Sequence, residues 1–212
     1  MTTTREIAGV RLPDSAVAVA ADALARAVSL PSLHNHCVRT YVFGTLAARR
    51  VGVAFDEELA YVACLLHDLG LTDAYGDERR FEVSGADAAR AFAVEHGLAP
   101  AQAETVWDAI ALHASGGIAA AKGGVPALVH LGASFDVAGG GYDTVAPALI
   151  DEVLAEYPRL QFKRTMHDLL VAAVRRKPTS YGATWLADLV REELGVPLPS
   201  VHARLAASPF SE

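Results

Sequence analysis

Residues 56–70 read Asp56-Glu57-Glu58-Leu59-Ala60-Tyr61-Val62-Ala63-Cys64-Leu65-Leu66-His67-Asp68-Leu69-Gly70, and this stretch decides the fold class. Asp56, Glu57 and Glu58 place negative charge where the start of a helix favours it. Leu59, Val62, Ala63 and Leu66 then recur at the spacing of one helix face. The pattern predicts a helix that stops at His67-Asp68-Leu69-Gly70, with Gly70 as its C-terminal glycine. Because the run before His67-Asp68 is almost wholly apolar, the pair is delivered into or beside the core. An unpaired carboxylate is costly there, and a cation removes that cost. An imidazole nitrogen and a carboxylate oxygen at one point suit zinc, iron or manganese.

Working outward, helical spacing continues almost throughout. Asp14 or Ser15 can cap a helix running to about Leu30, and Ser32 can cap a second one to about Val51, which Gly52 ends. On the second helix Val38, Tyr41, Val42 and Thr45 share a face. Residues 71–80 read as a polar loop. Further helices are predicted at 81–96, 100–114, 125–137, 144–157, 160–176 and 181–194, with flexible breaks at Gly116-Gly117, Gly123-Gly124 and Gly139-Gly140-Gly141. No segment alternates as a strand does. The expectation is all-α: one helical domain over 14–195, with loose tails at 1–13 and 196–212.

Composition narrows the function classes. The 212 residues are 52% hydrophobic and 20% charged, which excludes a disordered or fibrous chain. A formal charge of −7 argues against a nucleic-acid partner held by a general basic surface. No apolar run approaches the ~18 residues of a membrane span, and the N-terminus lacks a secretory pattern. Cys37 and Cys64 have no finger or CxxC spacing, which suits a reducing, cytoplasmic setting. The expected partner is a small molecule, and alanine-rich helix faces leave room for a homo-oligomer.

Of the eight histidines, His96 sits at a helix end, His202 in the tail and His167 in mid-helix beside Asp168, all as ordinary residues. His34 points to a different side of its helix from His36, and His130 lies nearly two turns from Asp136. His36, His67-Asp68 and Asp136 fall on successive predicted helices. That order, His…His-Asp…Asp, resembles the HD-domain superfamily of metal-dependent hydrolases. The words Asn35-His36-Cys37-Val38-Arg39, Cys64-Leu65-Leu66-His67-Asp68-Leu69-Gly70, Arg80-Phe81-Glu82-Val83-Ser84-Gly85-Ala86 and Trp107-Asp108-Ala109-Ile110-Ala111-Leu112-His113 resemble its cyanamide hydratase group. The likeness covers roughly residues 30–140, with a helical extension to about 195.

The resemblance implies one ion, zinc with iron or manganese as alternatives, held by His36, His67, Asp68 and Asp136. The extra histidines of two-metal relatives are missing from Phe81-Glu82-Val83-Ser84-Gly85. His113 is expected at the mouth of the site as a proton donor or substrate partner. Glu82 is expected to orient water or to pair with Arg79 or Arg80, with Thr72 and Asp73 bordering the pocket. Arg39 is expected as a clamp on a ligand carboxylate or a substrate anchor, and Asn35 as a substrate-orienting group or a simple cap. The reaction implied is hydration of cyanamide or a similar nitrile-like molecule. A nucleotide or other phosphate ester, with Arg39, Arg79, Arg80 and Lys122 supplying charge, is the alternative. A non-catalytic protein with a structural metal is the third reading. Trp107 and Trp185 read as packing residues.

Overall fold

The computed structural model describes residues 5–209, in which helices α1 (Ala16–Val28), α2 (Pro31–Val51), α3 (Glu57–Leu66), α4 (Phe81–Glu95), α5 (Pro100–Leu112), α6 (Gly116–Lys122), α7 (Gly124–Ala138), α8 (Pro147–Glu156), α9 (Phe162–Arg176), α10 (Ala187–Leu194) and α11 (Val201–Ala206) follow one another. The fold is all-α. The capping chemistry is local: Ser15 Oγ accepts from the Ala18 N–H, and the Asp56 carboxylate accepts from the Leu59 N–H at 2.9 Å. The start of α2 differs from expectation. Leu30 is its N-cap, Pro31 occupies the first turn, and Ser32 lies inside the helix.

Helices α2 and α7 cross in antiparallel fashion, and their register builds the site. A side chain on Gly44 would strike the Leu128 carbonyl, and one on Gly132 would strike the Thr40 carbonyl. One helical turn further on, in opposite chain directions, stand His36 and Asp136. The close approach that only glycine permits at 132 therefore brings these two residues face to face. Gly70 acts in a related way rather than as the helix-ending glycine expected of it. Helix α3 ends at Leu66, a 3-10 turn spans Leu69–Leu71, and a side chain on Gly70 would collide with the Phe81 carbonyl.

Two buried clusters hold the molecule together. The larger draws on α1 to α5, α7 and α8; the smaller joins Leu33, Leu71 and Phe81 to Phe162, Met166 and Leu170 of α9 and to residues of α10. The expected N-terminal tail is partly built into the larger one. Strands β1 (Glu6–Ile7) and β2 (Val10–Arg11) pair antiparallel, burying Ile7, Val10 and Leu12. Strands of two residues are too short to display alternation, so the periodicity missed them. Residues 1–4 and 210–212 lie outside the described residues.

Other boundaries also shift. The expected flexible break at Gly116-Gly117 is the start of α6. The helix predicted from 144 begins at Pro147, and that predicted from 181 is a 3-10 turn (Pro178–Tyr181) followed by α10. Residues 201–206 of the expected C-terminal tail form the exposed helix α11. Among the described residues no helix is long and apolar enough to cross a membrane.

Candidate metal centre

His67 caps the C-terminal end of α3 and Asp68 follows it into the 3-10 turn, so both side chains leave the helix at its buried end. His36 reaches them from α2. Its Nε2 lies 3.2 Å from His67 Nε2 and 3.5 Å from Asp68 Oδ2, and His67 Nε2 lies 3.3 Å from the same Oδ2. These atoms form a nearly equilateral triangle of donors, all buried.

The protons are accounted for elsewhere. His67 Nδ1 lies 2.7 Å from the Cys64 carbonyl, which accepts only from an N–H, so its Nε2 carries the lone pair. His36 Nδ1 lies 2.7 Å from Asp136 Oδ2, a carboxylate acceptor, so its Nε2 is also bare. Asp68 Oδ2 is buried with no hydrogen-bond partner. Three acceptors thus converge with no proton among them, an arrangement that repels itself unless a cation sits in the middle. Nitrogen and oxygen bound to a tetrahedral divalent ion at about 2.0–2.2 Å stand about 3.3–3.6 Å apart, and the observed edges match. The donor set fits one divalent metal ion.

Burial keeps the His67 imidazole neutral. It lowers the pKa of His67 to about 3, with the nearby His36 adding to the effect. Burial also raises the pKa of Asp68, against the pull of His36 and His113.

Asp136, expected as a fourth ligand, stands behind His36 instead. Burial would raise its pKa, but hydrogen bonds from His36 and Arg39 hold it well below the usual carboxylate range. Arg39 is fully buried and donates through Nε to Oδ1 at 2.8 Å and through Nη2 to Oδ2 at 2.7 Å. Arg159 Nη1 adds a bond to Oδ1 at 2.8 Å. With both oxygens occupied this way, the carboxylate orients the His36 ring and sets its tautomer, as carboxylate partners of metal-binding histidines do. Arg39 thus clamps the carboxylate of Asp136, which is not one of the clustered donors, whereas the expectation was a clamp on a ligand carboxylate. The Phe162 ring stacks on His36 at 4.6 Å and lies under the guanidinium groups of Arg39 and Arg159.

His113, at the end of α5, stands on the open side of the cluster. Its Nδ1 lies 2.6 Å from the Ile110 carbonyl, leaving the Nε2 lone pair 3.9 Å from Asp68 Oδ1. Burial, then the neighbouring His67, lowers its pKa to about 4. As a neutral imidazole it turns the Nε2 lone pair, a hydrogen-bond acceptor, toward the cluster and the cleft. A cleft of about 260 Å³ opens beside His36, His67, Asp68 and His113, walled by Phe81, Ala133, Met166, Leu170 and Trp185.

The remaining expectations place differently. Glu82 is fully buried, but its carboxylate is taken by Arg80 at 2.6 Å and it does not line the cleft. Asn35 donates to the Pro158 carbonyl at 2.9 Å, a connection between segments rather than a substrate contact. Thr72 donates to the Leu69 carbonyl, and exposed Asp73 faces Arg176 at 3.6 Å; neither borders the cleft. His34 pairs with Asp22 at 2.7 Å. His130 lines the cleft, and its Nδ1 donates to the His113 carbonyl. Trp185, read as packing, is half-exposed at the cleft. Arg159, Met166 and Leu170 carried no local signal, because each acts only through segments that fold back from far along the chain.

The paired histidines, the adjoining aspartate and their helical setting are matched by comparison with known families. Residues 33–157 match the HD domain. The chain belongs to the HD domain family. The match covers α2 through α8 and contains every residue of the donor triangle, together with Asp136, Arg39 and His113. The HD domain is a metal-dependent hydrolase-type fold, and the buried His36-His67-Asp68 group is where this one can hold an ion. Helices α9 and α10 lie beyond the matched segment. Comparison with curated proteins returned no match.

Proposed function

We propose that this HD-domain protein is a metal-dependent hydratase that adds water to cyanamide or a similar small, uncharged, nitrile-like molecule. The observation that carries this reading is the charge of the cleft: among the described residues no lysine or arginine lines it. Phosphoryl chemistry needs cationic groups on the phosphate oxygens. The cations expected for that role are engaged elsewhere: Arg39 with Asp136, Arg79 with Asp77 and Asp87, Arg80 with Glu82, and Lys122 with Asp108. An uncharged electrophile places no such demand on the walls. The cluster's opening onto a cleft favours catalysis over a purely structural metal.

His36, His67 and Asp68 would hold the ion, and two imidazole nitrogens with a carboxylate oxygen suit zinc, with iron or manganese as alternatives. Bound there, it would supply Lewis acidity and make water acidic near neutral pH. The chain's own contribution is proton traffic and orientation. As the water oxygen bonds to the nitrile carbon, His113 Nε2 accepts a proton from that water and returns it to the nitrile nitrogen. For cyanamide, H₂N–C≡N plus water gives urea after tautomerisation. Asp136 and the Cys64 carbonyl hold the two ligand rings in the required tautomers. The Ile110 carbonyl does the same for His113. On this reading the partner is a small molecule, without nucleic acid or membrane, and a homo-oligomer is compatible with it. Its setting is a reducing cytoplasm, which the buried free thiols of Cys37 and Cys64 suit.

The test is urea formation from cyanamide by zinc-loaded protein, with His67→Ala as the control and circular dichroism to show that the variant folds. Turnover by the parent and none by the variant supports the reading. If the metal-loaded parent hydrates neither cyanamide nor any other nitrile, and instead cleaves a phosphate ester, hydration is refuted.

A further inference from the structure

We propose that the substrate carries an apolar body as well as its polar reacting group, and that α9 and the segment leading into α10 select it. This deepens the hydration reading and rests on it for the identity of the reacting group. Polar groups reach the cleft from the cluster, His36, His67, Asp68 and His113, and from α7, His130 and Ser134, with His130 Nδ1 already donating to the His113 carbonyl. The rest of the lining is apolar and includes Phe81, Ala133, Val137, Met166, Leu170 and Trp185. A small polar substrate such as cyanamide would occupy one end and leave apolar walls facing water. The cleft measures about 260 Å³, whereas an apolar cavity of about 150 Å³ is enough for benzene.

Two features of the wall point to a ligand rather than to core packing. Trp185 leaves half of its surface exposed at the cleft, although a ring of that size has most to gain from burial. Met166 is an adaptable, unbranched side chain of the kind that conforms to an apolar guest. Both, with Leu170, lie beyond residue 157, where the match to the HD domain ends. The matched segment thus supplies the cluster and part of the apolar wall, Phe81 and Ala133, while the segment beyond it adds Met166, Leu170 and Trp185. Phe162 ties the two together by stacking on His36 from α9.

The experiment is titration calorimetry of the zinc-loaded full chain with phenylacetonitrile and with acetonitrile, which share the nitrile and differ in the ring. The expected result is that phenylacetonitrile binds at least about tenfold tighter, since even one methylene in an apolar pocket is worth that much. Trp185→Ala, at a half-exposed position that the core does not need, should remove most of the preference. Leu170→Phe, which narrows the cleft, should weaken phenylacetonitrile selectively. Equal affinity for the two nitriles, or a preference unchanged in both variants, overturns the proposal. Binding preference without turnover of any nitrile upholds the apolar subsite and overturns the hydration reading. Turnover of cyanamide with no gain from the ring does the reverse.

Discussion

Replacing Asp136 with asparagine removes one charge and almost no volume, and it separates two roles for this residue. In the structure its carboxylate accepts from His36 Nδ1, from Arg39 Nε and Nη2, and from Arg159 Nη1. Asparagine keeps one acceptor oxygen and turns an N–H₂ toward donors that it cannot satisfy. Arg39 has no exposed surface and would lose its counterion inside the core. Removing one partner of a buried pair costs about 3–5 kcal/mol, and the retained volume puts this variant near 3. For a chain of this length that is a fall of about 6–12 °C in Tm. The amide also reverses the preference of the His36 tautomer, moving a proton to the nitrogen that should face the metal. Zinc affinity should therefore fall about 10- to 100-fold and not vanish, as for other partners of ligand histidines. Thermal unfolding and a competitive zinc titration measure the two effects. A variant within about 1 kcal/mol of the parent would refute the clamp. Loss of zinc as complete as in His67→Ala would show that Asp136 is itself a ligand.

Other outcomes follow from the same geometry. Without metal, stability should fall as pH drops below about 6.5, because His67 and His113 stay neutral in the fold while the unfolded chain takes up protons. The limit is about 2.7 kcal/mol per pH unit down to about pH 4, made shallower by Asp68, whose raised pKa acts with the opposite sign. A pH-independent Tm between 4 and 6.5 would contradict this, and is checked by unfolding scans on chelator-treated protein. Zinc at about a hundred times its Kd should add about 2.7 kcal/mol, or about 5–11 °C in Tm, and a chelator should reverse it. Gly132→Ala should cost about 3 kcal/mol or more by forcing α2 from α7, while Gly117→Ala, which meets nothing within 4 Å, should leave the melting curve in place.

The helices were legible because each is amphipathic in its own sequence, and caps such as Ser15 and Asp56 act within three residues of themselves. The hairpin at Glu6–Arg11 was not, since strands of two residues leave no period and hold their place by burying Ile7 and Val10 and by hydrogen bonds to Arg49 and Glu152 of distant helices. Gly70 illustrates how a correct residue acquires the wrong role. Its position after an apolar helix suggests a cap, whereas its small size serves contact with Phe81, which no local pattern announces. His67 and Asp68 stood out for their chemistry and their apolar surroundings and His36 through the resemblance to the HD-domain superfamily, and the three do converge. Asp136 entered through the same resemblance, but the sequence contains no sign of which His36 nitrogen it meets.

Residue types and their periodicity alone determined that this is an all-α protein carrying histidine and aspartate into its core, because helix formation and the cost of buried charge act over a few neighbouring residues. Only the tertiary structure decided which of those groups face one another. The α2–α7 register, set by Gly132 against the Thr40 carbonyl, turns Asp136 toward His36 and Arg39. The return of α9 over that crossing closes the cleft with Met166 and Leu170 and lays Phe162 on the His36 ring. Those contacts join residues about a hundred positions apart, and they depend on shape and packing, which no local stretch of sequence encodes.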